Sequence, residues 1–119
     1  MNQILIERFH LPATGPIHIQ VDFIGEIKVN ANTARRKANT YLLTNVTNLS
    51  YAGREPELVL GEQLIWRFPA MLALPSYGEI GPIGTLDVDT TTGEILFLSP
   101  ATISQMRKRA HVLADRLRH

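Results

Sequence analysis

The sequence contains no cysteine, and this absence removes several kinds of chemistry at once. Disulfides, thiolate zinc sites and thiol nucleophiles all require cysteine, so this chain can have none of them. The sequence also lacks a run of about 18 apolar residues, the length that a membrane-spanning helix needs. Its start, MNQILIERFHLPATGP, has an apolar run of only three residues before Glu7 and Arg8, which predicts no secretory signal. We therefore expect a soluble cytoplasmic protein.

The composition is that of a globular chain with unevenly distributed charge. Its 119 residues can bury a real core, and 45% apolar and 19% charged residues argue against global disorder, so we predict a single domain over residues 1–119. The net charge of +1 conceals an asymmetry, because residues 101–119 sum to +4 and residues 1–100 to −3. Segregated charge of this kind indicates either a partner surface or a solvated basic helix face.

Several segments alternate between apolar and polar residues, as half-buried strands do. IHIQVDF and EIKV lie on either side of Gly25, which favours a hairpin over a glycine bulge. LVL and QLIWRFPAMLAL are predicted to be two strands joined at Gly61-Glu62, with Trp66 in the core and Pro69 marking a bulge or an exposed edge. The glycine- and proline-rich PSYGEIGPIG is predicted to be a connector, and TLDVD and EILFL the next pair of strands.

Two other segments have the period of a helix. NTARRKANTYLLTNVTNL predicts an amphipathic helix from about residue 33 to 48, capped by Asn32, with one apolar stripe formed by Ala34, Ala38, Tyr41, Leu42, Val46 and Leu49. Ser99 and Pro100 predict the start of a last helix, since proline at the first helical position loses no intrahelical bond. Its apolar stripe consists of Ile103, Met106, Ala110, Leu113 and Leu117. Such a stripe docks on a sheet or on a second copy of itself, so these five residues are also candidates for a homodimer contact.

The order of these elements predicts an α+β fold. An antiparallel β-sheet meander would carry one central amphipathic helix and a C-terminal helix packed on one face.

The acidic segment LDVDTTTGEILFL, residues 86–98, can be tested against a calcium loop. An EF-hand loop needs glycine at position 6 and glutamate at position 12. Counted from Asp87, the glycine falls at position 7 and position 12 is Leu98. A hairpin turn accounts for the same residues, because Asp89 or a threonine can accept hydrogen bonds from the turn backbone and Gly93 can adopt a left-handed conformation. We predict a turn, with no metal ligands and no cofactor.

No catalytic arrangement stands out elsewhere. The histidines, His10, His18, His111 and His119, lack metal-ligand spacing, GEIGPIG matches no phosphate-binding motif, and no serine lies in a nucleophile elbow, so we predict no enzyme. The basic last helix remains, and the predicted partner-binding residues are Arg107, Lys108, Arg109, Arg116 and Arg118. The favoured function is a non-catalytic binding or regulatory module that contacts another protein. An antitoxin-like or nucleic-acid-associated regulator using the same helix is the alternative.

Three segments read together, ARRKANTYLL, IWRFPAMLAL and IGTLDVDTTTGEIL, resemble a PepSY domain. In that family a helix packs on an antiparallel hairpin ending in V-D-x-x-T-G-x-V, and the matching residues here are Val88, Asp89, Thr92, Gly93 and Ile95. The resemblance covers roughly residues 33–98 and implies an inhibitory or regulatory module near peptidases. The extra N-terminal strands, the absent signal and the basic last helix depart from the family pattern. The chain is also similar to small uncharacterised bacterial proteins with the layout ARRK…W…P…VDxxTGE, a similarity that implies no mechanism.

Overall fold

The computed structural model describes residues 14–16, 18, 22 and 24–118, without the side chain of Arg118. Most of the strand predicted at IHIQVDF lies outside these residues, as do His10 and His119. The elements are helix α1 (Ala31–Asn45), strands β1 (Ser50–Ala52), β2 (Glu57–Leu60), β3 (Leu64–Leu74) and β4 (Gly78–Asp89), and helix α2 (Pro100–Arg118). No helix in the described part of the chain is both long and apolar enough to cross a membrane.

Strand β3 is the centre of an antiparallel sheet. It pairs with β4 along one edge, from Leu74 opposite Gly78 to Ile65 opposite Asp89. Because β4 takes up that whole edge, β1 and β2 share the other edge end to end. Strands β2, β3 and β4 therefore form an antiparallel meander, whereas β1 pairs with β3 and not with β2. The predicted α+β fold with an antiparallel sheet is confirmed.

Pro69 lies in the central strand, opposite the break between β1 and β2. Ala52 pairs with Ala70 and Glu57 with Arg67, so four residues of the edge span a gap that only two residues of β3 fill. The Gly53 amide donates to the Pro69 carbonyl at 2.8 Å, which shows that Pro69 turns its missing N–H toward this break. The irregularity predicted at Pro69 is real, but the extra residues, 53–56, lie between β1 and β2. The alternative of an exposed edge is wrong, because β3 has neighbours on both sides.

Helix α1 covers one face of the sheet with its predicted stripe. Ala34, Ala38 and Leu42 have no exposed surface, and they pack in one cluster with Phe68 and Leu72. The alanines have short side chains, so the helix can lie close to the strands. The N-cap is Asn30 rather than Asn32: its side-chain oxygen accepts a 2.8 Å hydrogen bond from the Thr33 amide, which satisfies an orphan donor of the first turn.

The segment before α1 is not the strand that EIKV predicts. Residues 24–30 form no strand, and the amides of Lys28 and Val29 both donate to one carbonyl, that of Thr90, at 3.0 and 2.8 Å. The indole N–H of Trp66 donates to the Val29 carbonyl at 2.9 Å. Trp66 therefore packs against the core as predicted, and it also anchors the chain that enters α1.

The glycine- and proline-rich GEIGPIG is wrongly predicted as a connector, because residues 78–84 belong to β4. Only residues 75–77 form the turn. The β3–β4 register slips at two points, which leaves Ile80 and Ile83 as additional residues on β4. Each slip is a β-bulge, and a bulge shifts the alternation of side chains by one residue. The period of two that would have marked a strand is lost there.

The segment EILFL, predicted as a strand, adds only a short border to β4. Ile95 forms an isolated bridge with Val88, and the Leu96 amide donates to the Asp87 carbonyl at 2.9 Å. The chain then leaves the sheet, and Phe97 is largely exposed.

Helix α2 begins as predicted and packs on the same face of the sheet as α1. Ser99 caps it by accepting a 3.1 Å hydrogen bond from the Thr102 amide. Met106 and Ala110 join the core cluster, and a Cβ atom on Gly84 would come within 3.1 Å of Met106 Cγ. Glycine at position 84 thus permits the close seating of α2 on β4.

The apolar stripe of α2 is therefore used within its own chain. Four of its five members, Ile103, Met106, Ala110 and Leu113, belong to or pack against the core, and Leu117 is 38% exposed. Of the two predicted docking surfaces, the sheet is the one observed. Met106 and Ala110 are occupied by the core, so a homodimer through this stripe would have only Leu117 and the exposed parts of Ile103 and Leu113 to contact.

Candidate functional site

Arg107 holds α2 against the end of α1. Its Nε donates to the Val46 carbonyl at 3.1 Å and its Nη2 to the Asn45 carbonyl at 2.5 Å. The last carbonyls of a helix have no intrahelical partner and carry the negative end of the helix dipole, so a cation is favourable there. Arg107 is one of the predicted partner-binding residues, but these contacts give it a structural role.

The other flank of α2 carries basic side chains that have few hydrogen bonds or none. The Nε of Arg109 donates to the Pro82 carbonyl at 3.3 Å, a single exposed hydrogen bond. Within the described residues, Lys108 and Arg116 form no ion pair and no hydrogen bond, and both are exposed. The side chain of Arg118 lies outside the described residues. Three of the five predicted partner-binding residues therefore lie together with their charges available.

These three cations border an open groove between α2 and β4. The groove has a volume of about 700 Å³, and its apolar floor and walls come from Ile83, Leu98, Met106, Val112 and Leu113. The remaining lining residues are Gly84, Thr85, Thr102, Gln105, Lys108, Arg109 and Arg116, so the lining contains three cations and no carboxylate. We call this surface the basic groove.

The wall of the basic groove has a regular spacing. Thr102, Arg109 and Arg116 are seven residues apart, which places them in one row along α2. Two helical turns separate Arg109 from Arg116, a rise of about 10.5 Å along the axis. The wall therefore carries positive charges at a defined repeat.

The acidic residue of α2 does not neutralise this row. Asp115 Oδ2 lies 3.3 Å from Nε2 of His111, one turn before it, and both side chains are well exposed. This is the surface contact that their spacing predicts. The His111–Asp115 pair lies away from the groove, since neither residue belongs to its lining.

The turn after β4 is built by Asp89. Its Oδ1 accepts hydrogen bonds from the amides of Thr91 and Thr92 at 2.6 and 3.1 Å, and its Oδ2 accepts one from Gln63 at 2.6 Å. Gly93 has φ = +77°, a left-handed conformation that is costly for residues with a Cβ atom. The turn interpretation of this segment is confirmed.

Asp87 is equally committed to the fold. Its two oxygens accept from Arg67 Nε and Nη2 at 2.9 and 3.1 Å, a bidentate pair between neighbouring strands. This hydrogen bonding raises the pKa of Arg67 further above its ordinary value. Both aspartates of the acidic segment therefore have hydrogen-bond donors on each of their carboxylate oxygens. In the described part of the chain, no cluster of three or more His, Asp or Glu residues is arranged to hold a metal ion.

A second surface groove lies at the break between β1 and β2, and its charges are mixed. Arg35 and Arg54 line it together with Glu55 and Glu79. The Tyr51 hydroxyl donates to the Glu79 carboxylate, and burial followed by this hydrogen bond raises the pKa of Tyr51. Opposite charges lie within one lining here, so this groove lacks the uncompensated charge of the basic groove.

No protein-family model, curated protein or solved structure matches this chain. The PepSY resemblance therefore stays a prediction, and the site must be argued from its own geometry.

One residue in the sequence does indicate the basic groove. Val112 is an apolar residue outside the buried stripe of α2, and it is 41% exposed. An apolar side chain on the otherwise polar flank of an amphipathic helix is a candidate contact. The opposite wall, around Ile83, has no such signal in the sequence, because the bulges of β4 interrupt the apolar–polar alternation that marks a strand.

Proposed function

We propose that this chain is a non-catalytic binding or regulatory module that contacts another protein through the basic groove. The observation that carries the proposal is an apolar floor bordered by Lys108, Arg109 and Arg116 with no carboxylate in the lining. Protein interfaces combine an apolar centre with a polar rim and are enriched in arginine. Uncompensated rim charges speed association and select partners of opposite charge. The expected partner surface is therefore acidic and partly apolar.

A protein partner fits the groove better than a nucleic acid does. Single-stranded nucleic acid binds to aromatic side chains on which bases stack, and no aromatic residue lines the basic groove. The contacts of Arg107 with α1 also interrupt the basic surface that a phosphate backbone would follow. An antitoxin-like role or a PepSY-like role beside a peptidase would be particular forms of the same protein contact. We also propose that this function is carried out in the cytoplasm, which is compatible with a chain that contains no cysteine.

Photo-crosslinking from within the groove tests this proposal. A benzoylphenylalanine residue replaces Val112, and the matched control carries it at Leu43, an exposed apolar position on α1. In cells, we expect a protein adduct from position 112 that disappears when Arg109 and Arg116 are changed to glutamate. The control position should give no such adduct. Adducts to nucleic acid, or protein adducts of equal yield from both positions, would contradict the proposal.

A further inference from the structure

We infer that the basic groove accepts an acidic amphipathic helix lying alongside α2, with carboxylates seven residues apart facing Arg109 and Arg116. This inference rests on the proposed function and specifies the form of the partner. A helix of this kind would place an apolar face on the groove floor and its acidic edge against the basic wall, as in other helix-in-groove complexes.

The spacing of the wall charges favours a helix over an extended strand. Two turns, about 10.5 Å, separate Arg109 from Arg116, and a second helix packed alongside α2 repeats its side chains at the same interval. In an extended strand the same distance corresponds to about three residues, whose side chains point to opposite faces. Two residues that are three apart in a strand therefore cannot both direct a carboxylate toward the arginines.

The edge of β4 is also unsuited to the addition of another strand. Pro82 has no amide hydrogen, and its carbonyl already accepts from Arg109. The bulges at Ile80 and Ile83 break the even ladder that an added strand would need. Proline, bulges and charged side chains are the usual protections of a sheet edge. A strand from a partner would meet all three here.

The groove floor supplies an apolar seat beside the charges. Leu98 and Leu113 are half-buried, and Val112 is exposed on the outer side of the arginine row. Apolar residues at steps of three and four on a partner helix would cover these side chains and remove them from water. Charge and apolar surface together require a partner with both features on one helix face.

A designed peptide tests the inference on the full chain. The probe is a fluorescein-labelled helix of about 18 residues, long enough to form a helix in water. It carries glutamates seven residues apart, leucines at steps of three and four between them, and alanine elsewhere. Two comparison peptides are used. One has the same composition but places the glutamates on opposite helix faces, and the other keeps the glutamates and leucines but is held extended by prolines that replace alanines. Fluorescence anisotropy gives the Kd of each. We expect the first peptide to bind at least tenfold more tightly than either comparison peptide.

Charge reversal identifies the contacts. R109E/R116E should weaken binding of the helical peptide at least tenfold, the size expected from losing two exposed ion pairs and adding repulsion. A peptide with arginine in place of the two glutamates should bind this variant and not the original chain. Because Arg109 also contacts Pro82, K108E/R116E serves as a second variant that breaks no hydrogen bond. R36E/R54E is the control with the same change in net charge outside the groove, and its affinity should be unchanged.

The outcomes separate this inference from the proposed function. Preferred binding of the extended peptide, with the same dependence on Arg109 and Arg116, would overturn the helix inference and leave a protein-binding groove. Equal binding of all three peptides would overturn it as well. If no peptide binds while a single-stranded oligonucleotide does, with loss in R109E/R116E, both the inference and the proposed function are wrong.

Discussion

Both flanks of α2 carry basic side chains, but these side chains have different partners. On one flank, the guanidinium of Arg107 is held by two carbonyls at the end of α1. On the other, Arg116 and Lys108 have no protein partner within the described residues, and Arg109 has one exposed hydrogen bond. The net charge of residues 101–119 cannot distinguish the two flanks. The difference arises from which acceptors lie within reach, and it separates a flank that stabilises the fold from one that is free to bind.

Removing the buried side chain that packs α2 against the core should destabilise both flanks together, and this is the largest effect we predict. Met106 is 3% exposed and contacts the core between the two flanks. Met106→Ala should lower the free energy of unfolding by about 2–5 kcal/mol, because it removes buried apolar surface and leaves a cavity. Urea denaturation followed by circular dichroism measures the change.

Val112→Ala is the control for this prediction, since Val112 lies on the same helix but is half exposed. We expect a loss of less than about 1 kcal/mol. A loss as large as that of Met106→Ala would mean that the groove is part of the core, and the separation of the two flanks would fail.

The second prediction concerns the structural flank alone. Arg107→Ala should lower the free energy of unfolding by about 1 kcal/mol, because two carbonyls at the end of α1 lose a charged donor. The side chain is exposed, which keeps the effect well below that of a buried pair. Affinity for the acidic helical peptide should stay the same. An unchanged stability would show that the Arg107 contacts do not hold the helices together.

The third prediction is the converse, on the binding flank. Lys108→Ala and Arg116→Ala should each change the free energy of unfolding by less than about 0.5 kcal/mol, as expected of surface residues without structural contacts. The same denaturation measurements give the comparison with Arg107→Ala. Destabilisation equal to that of Arg107→Ala would contradict the assignment of these cations to binding.

The smallest effect is expected at the end of the apolar stripe. Leu117 is the most exposed of its five members, so a dimer seam on the stripe would depend on it. Leu117→Glu should leave the hydrodynamic radius unchanged in sedimentation velocity, since the other four side chains pack in their own core. A shift from a dimer to a monomer in this variant would establish the homodimer that the sequence allows.

The sequence predicted those elements that depend on residues close together in the chain. The stripe of α1, the proline start of α2 and the turn at Gly93 each depend on residues close together in sequence, and the structure has all three. The helix α1 begins two residues earlier than predicted because Asn30, not Asn32, caps it. Cap choice depends on the path of the preceding chain, which the Thr90 carbonyl and Trp66 determine from a distance.

The features that sequence reasoning missed depend on distant partners. The acceptors of Arg107 are 61 and 62 residues away from it along the chain, so no local pattern shows that it is occupied. Strand β4 escaped detection because its bulges at Ile80 and Ile83 break the alternation and its glycines and proline resemble a loop. Without β4, the wall opposite α2 is missing, and the basic groove cannot be foreseen.

A titration of the ¹⁵N-labelled 119-residue chain with the acidic helical peptide tests most directly whether the two flanks are separate. We predict that amide shifts concentrate on the groove side of α2, at Arg109, Val112 and Arg116, and on residues 83–85 of β4. The amides of Val46 and Arg107 should move little. Shifts centred on Val46 and Arg107, or on the face of the sheet that carries Arg67, would contradict the account.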